Sequence, residues 1–274
     1  MTERFSRRHG YSEQEAEITV RNDAPDELRS VVVEVAYESG LKPGPLRSLI
    51  CRVLRTAPNP NNWSDFPNVD NEVRDHLRDC EWYHVYDVIE EIYSTFSSGG
   101  MVAPRSRGSM DAAEDFSEKM NRYFRGRGIG WQLIDGQLEV RGPESFEEAV
   151  HGARDLLGEL GRNTAASELH EAILDLSRRP ESDVTGAIQH AMAALECLAR
   201  DVAEDPKLTL GELIKRHPGL IPKPLDQALE KAWGYASETG RHLKEGKAPD
   251  FEEAELVVGL SGTLCRYLAR KINP

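Results

Sequence analysis

The sequence predicts a mainly α-helical protein, with an N-terminal helical domain, one short β-hairpin and a C-terminal antiparallel helical bundle. Three observations carry that expectation. Apolar residues recur at three- and four-residue spacing through most of the chain. Capping-type residues, Gly and Pro punctuate those runs where helices start and stop. A single stretch, IGWQLIDGQLEV, places apolar residues on both sides of an Asp-Gly pair, the dipeptide that accepts the positive φ angles of a tight hairpin.

The first helix starts after Asp23-Ala-Pro25 and runs through ELRSVVVEVAYES to Gly40, a C-terminal stop. A second, from Gly44 to Arg55, sets Leu46, Leu49, Ile50, Val53 and Leu54 on one face, and the two are expected to pack as a hairpin. TAPNPNNWSDFPN is too rich in Pro and Asn for regular structure, and Trp82, Val85, Tyr86, Ile89, Ile92 and Tyr93 then form the stripe of a third helix. These elements make an N-terminal domain over residues 1–97. Residues 98–112, rich in Ser, Gly and Pro, read as a flexible linker. A helix marked by Phe116, Met120 and Phe124 precedes the hairpin within residues 113–142.

Residues 143–274 form the bundle, with helices from Phe146 to Leu160, Thr164 to Leu176 and Asp183 to about Val202. Thr209-x-x-Glu212 and Asp250-x-x-Glu253 are capping boxes that open two more. The last helix carries a stripe of Leu256, Leu260, Leu264 and Leu268, with Gly259 and Gly262 allowing close packing.

Lys and Arg number 34 against 47 Asp and Glu, a formal net charge of −13, which opposes a broad electrostatic grip on nucleic acid and confines any such contact to a local site. No apolar run is long enough to span a bilayer, and the opening MTERFSRRHGY lacks the apolar stretch of a signal peptide, so a cytoplasmic protein without membrane attachment is expected. Cys51, Cys80, Cys197 and Cys265 lie far apart in apolar helical settings and read as buried, reduced thiols. GxxxxGK[ST], HExxH, paired His/Cys spacings and GxSxG are all absent; GRGIG precedes a strand rather than following one. No cofactor and no metal are expected.

The blocks DVTGAIQHAMAALECLARD, LTLGELIKRHP and ALEKAWGYASETGRHLKEG resemble the C-terminal helical domain of abortive-infection proteins of the HEPN superfamily. RFSRRHGY, ITVRNDAP, NNWSDFPN, DCEWYHVYDVIEEIY and GIGWQLIDG are similar to the AbiJ-type N-terminal domain found joined to it. The resemblance implies an up-and-down bundle in a phage-defence or toxin system. It also implies a homodimer, RNA as substrate, and metal-independent ribonuclease activity through an Arg and a His with four to six residues between them. Histidine suits that task because its pKa near 6.5 lets it take and give a proton around neutrality, and arginine because its planar fork holds a phosphate.

The segment matching the family's motif is Ser237-Glu238-Thr239-Gly240-Arg241-His242, where Arg and His are adjacent. Arg4 with His9 and Arg78 with His84 have the family spacing, but eight histidines and 25 arginines produce such pairs by chance. Two readings of Arg241 and His242 compete. In one they reach a phosphate, with Glu238 orienting the histidine and Ser237 at the substrate's edge. In the other Arg241 pairs with Glu238, His242 caps or lines a helix interface, and the domain is a non-catalytic module that dimerises or docks a protein partner. His190 shares its helix with Thr185, Gln189 and Glu196; it reads as part of a hydrogen-bonding row, or alternatively as a substrate contact. Arg178 and Arg179 are candidate phosphate contacts, as are the clusters at Arg122, Arg125 and Arg127 and at Lys215, Arg216 and His217, with Tyr123 and Phe124 as candidate stacking residues.

Overall fold

The computed structural model describes residues 16–99, 112–241 and 249–272, with only the backbone described for residues 238–241. The chain is mainly α-helical, with eleven helices and one two-stranded sheet among the described residues. It divides into two compact units, Met1–Arg141 and Gly142–Pro274. None of the described helices is long and apolar enough to cross a membrane. Residues 100–111, most of the expected linker, lie outside the described residues.

In the first unit, α1 (Asp26–Ser39) ends at Gly40, whose φ of 118° is open to glycine and lets its N–H reach the carbonyl of Tyr37. Beyond that turn Leu41 is buried, and α2 (Pro43–Leu54) follows. The expected α1–α2 hairpin does not form. Instead α2 packs on α3 (Asp70–Asp79) and α4 (Trp82–Ser97), while α1 packs on α3, α4 and α5 (Ala112–Gly126). Helix α3 has no counterpart in the sequence reading. It buries just Val73 and Leu77 along its apolar face, each worth about 1.5–3 kcal/mol. One-turn pairing of Asp70 with Arg74 at 3.0 Å adds support, and Arg29 of α1 clamps its far end by donating to the carbonyls of Leu77 and Cys80.

The hairpin forms as the Asp-Gly pair predicts: β1 (Trp131–Ile134) and β2 (Gln137–Val140) pair antiparallel, with Asp135 and Gly136 at φ 49° and 88°. Helix α5 stitches it down, because Asn121 accepts from the Leu133 N–H at 2.7 Å and donates to the Leu133 carbonyl at 2.8 Å. Phe116, Met120, Phe124, Trp131 and Leu133 share one core with α1–α4.

In the second unit α6 (Glu144–Glu159) and α7 (Asn163–Ser177) lead to α8 (Val184–Ala203), the central helix, against which α7, α9 (Leu210–Arg216), α10 (Leu225–Arg241) and α11 (Phe251–Ile272) pack. Both predicted capping boxes are present. The leucine stripe of α11 needs correction. Leu256 is 70% exposed and Leu260 39%, and the buried face is Ala254, Val257, Val258, Ser261, Gly262, Cys265, Leu268 and Ala269. A strict four-residue step overshoots a helical turn by about 40°, so it winds off the core within three steps, whereas alternating threes and fours stays on it.

Gly262 sits where α11 crosses α6, and a Cβ there would lie 2.7 Å from the carbonyl oxygen of Ala149 and 3.0 Å from the Cα of Val150. Gly262→Ala is therefore expected to destabilise the bundle by about 1–3 kcal/mol, since the obstacle is backbone and cannot rotate away. That exceeds the gain of at most about 1 kcal/mol in helix propensity. Urea unfolding followed by far-UV circular dichroism reads the difference; an unchanged midpoint would show that the helices can part at no penalty. Of the cysteines, Cys51 and Cys265 are buried, and burial pushes the Cys265 thiol up to about 12. Cys80 and Cys197 are half-buried instead, and Cys80 lies just past α3 rather than within a helix.

Candidate functional site

The segment singled out in the sequence begins on the last turns of α10. Ser237 is half-buried and lines a cavity of about 270 Å³ between α8 and α10, together with Ile188, Gln189, Met192, Glu196 and Trp233. The α10 backbone remains helical through Glu238 to Arg241; those side chains and His242 lie outside the described residues. Glu196 is committed elsewhere, accepting from the Leu210 N–H at 2.8 Å and from Arg200 at 2.6 Å. Two residues before Ser237, the Tyr235 phenol is pushed up to about 12 by burial and by the negative charge of Glu253 and Asp250. The end of α10 thus lies beside the start of α11.

His190 occupies a different side of α8. Its Nδ1 lies 2.7 Å from Glu168 and its Nε2 3.7 Å from Asp175, both on α7. Asp175 is 2% exposed and burial pushes its carboxyl up, opposed by the nearby Arg178. Arg178 bridges Asp175 at 3.0 Å and Asp183 at 3.1 Å, while Asp183 caps α8 by accepting from the Gly186 N–H at 2.8 Å. Arg179 donates to the carbonyls of Leu176 and Arg178 and to Ser182 Oγ. With both ring nitrogens facing carboxylates, His190 is held in one orientation by ionic neighbours, and Arg178 and Arg179 direct donors into the turn between α7 and α8. The structure brings His190 and Arg178 together through Asp175, and groups Ser237 with Gln189 and Glu196 on another side of α8. Sequence reading missed Glu168 and Asp175; their seven-residue spacing, two turns on one face of α7, was the available signal.

A family model, AbiJ N-terminal domain 4, matches residues 3–156, more than half of the 274-residue chain. The chain belongs to the AbiJ N-terminal domain 4 family. That membership connects the AbiJ-family chain with abortive infection. No curated protein and no solved structure matches it. The matched region covers nearly the whole first unit and most of α6.

Several other candidate contacts of the AbiJ-family chain are engaged within the fold. Arg78 pairs with Asp75 at 2.7 Å and His84 with Asp87 at 2.8 Å. Phe124 is fully buried and cannot stack on a base, and Arg127 lies over the Tyr123 ring. Arg122 pairs with Glu118 and Lys215 with Glu230. Arg4 and His9 lie outside the described residues.

Proposed function

We propose that this AbiJ-family protein is an abortive-infection effector in phage defence, whose second unit is a HEPN-like bundle that cuts RNA without a metal ion or other cofactor. The observation that supports this most is α10: its final turns carry the Ser237–Arg241 run that matches the family motif position, beside a cavity and close to the start of α11. His242 takes the proton of an RNA 2′-hydroxyl as the O2′–P bond forms and the P–O5′ bond breaks, and O5′ takes a proton from water, leaving a cyclic phosphate and a 5′-hydroxyl. Arg241 holds the phosphate and offsets its developing charge, and Glu238 orients the histidine. Two copies presenting the same face about a two-fold axis would line one cleft.

The expected result is cleavage of labelled tRNA or mRNA in EDTA by the purified protein, reduced at least about 100-fold by Arg241→Ala or His242→Ala. Cleavage insensitive to both substitutions would remove the assignment. The second reading, a non-catalytic bundle that dimerises or docks a protein partner, is favoured by the net charge of −13 and by the ion pairs that engage Arg178. Absence of cleavage by a folded dimer would support it.

A further inference from the structure

Two neighbouring helices of the first unit bring three unlike ligand groups together. Cys51 comes from α2, and Glu72 and His76 stand one turn apart on α3. Cys51 Sγ lies 3.8 Å from His76 Nε2, which lies 3.8 Å from Glu72 Oε1, and the three ligand atoms are all within 4.8 Å of one another. Tetrahedral zinc, with bonds of about 2.0–2.3 Å, holds such ligand atoms about 3.4–3.6 Å apart, so the two pairs at 3.8 Å need shifts of a few tenths of an ångström and the Cys51–Glu72 pair at most about 1.2 Å.

We propose that Cys51, Glu72 and His76 form a binding site for a divalent transition-metal ion, zinc by preference. A thiolate supplies one full negative charge and the carboxylate a second that is shared with Arg47, and a sulfur–nitrogen–oxygen set suits zinc rather than magnesium or calcium, which take oxygen ligands. The carboxylate is already oriented. Its Oε2 accepts from Asn62 Nδ2 at 3.0 Å and from Arg47 at 3.2 Å, and Oε1 accepts from the Asn59 N–H at 2.6 Å while keeping a lone pair towards His76. A fourth position has room and polar surroundings: a cavity of about 460 Å³ opens onto Glu72 and His76, lined also by Asn59, Asn62, Asp75 and Asp79. Arg47 is the cation facing the group, and its charge is answered by Glu72.

The proposal stands apart from RNA cleavage, because its readout is the metal itself. Metal-stripped full-length protein titrated with Co²⁺ is expected to bind one equivalent with a thiolate-to-cobalt charge-transfer band in the near ultraviolet, displaced by zinc. The band disappears in Cys51→Ser, and binding weakens at least about tenfold in His76→Gln. In the wild type, zinc also slows alkylation of Cys51 as read by peptide mass mapping, a measurement that needs no variant. A folded wild type without the band, a band that survives Cys51→Ser, or alkylation of Cys51 unaffected by zinc would each overturn the site and leave Glu72 as a clasp for the loop above it.

Discussion

Replacing Glu72 with alanine is expected to destabilise the first unit by about 3–5 kcal/mol, the loss typical of breaking a buried ion pair from one side. Glu72 is 8% exposed and holds the irregular stretch after α2 through Asn59 and Asn62 while neutralising Arg47, whose Nε is itself buried without a hydrogen-bond partner. Burial alone would raise the Glu72 carboxyl, but the Asn59, Asn62 and Arg47 hydrogen bonds outweigh it and hold the group below its usual range. Its contribution is therefore complete above the ordinary glutamate range and lost as pH falls through the folded-state value. Glu72→Gln, which keeps an acceptor but not the charge, should fall between wild type and Glu72→Ala. Three of the four tryptophans, Trp63, Trp82 and Trp131, lie in the first unit, so urea unfolding followed by tryptophan fluorescence reports mainly on it. Equal stability of Glu72→Ala and wild type would mean that Arg47 finds water on its own.

The second unit is expected to lose stability on acidification over a window set by His151. Burial, with Arg154 nearby, pushes this imidazole down to about 4, and its side chain is 13% exposed. It lies 3.3 Å from Glu147, to which a neutral ring can donate through Nε2. Between pH 6.5 and about 4 the unfolded chain binds a proton that the folded one refuses, so folding weakens as pH falls, by on the order of 3 kcal/mol in total. Thermal unfolding of wild type and His151→Gln from pH 7 to pH 4.5 tests this: the variant should show a shallower loss. Parallel curves would place the acid sensitivity on other groups.

Where the sequence was legible, short-range chemistry decided the outcome. Asp135-Gly136 made the turn, Gly40 stopped α1, and Thr209 and Asp250 each opened a helix with a Glu three residues on. Helix α3 was hidden because its apolar face is narrow and most of its surface is charged. The leucines of α11 misled because size and regular spacing drew the eye from small residues, Ala254, Gly262 and Ala269, which are buried by the close approach of neighbouring helices. At the candidate site, the side-chain partners are long-range. Nothing near His190 in the chain announces Glu168, 22 positions away, and Cys51 meets His76 across 25.

The two hydrophobic cores also differ in when they can exist. The first draws its buried residues from Ala24 to Leu133, whereas the second needs Cys265, Leu268 and Ala269 at the far end of α11. On the ribosome, then, the first unit has all its parts while α7 has yet to be translated, and the bundle stays without one of its walls until the codons near 269 have been read. A message cut short within α11 would yield a finished first unit joined to an unclosed second one, so the unit proposed to attack RNA is assembled after the first.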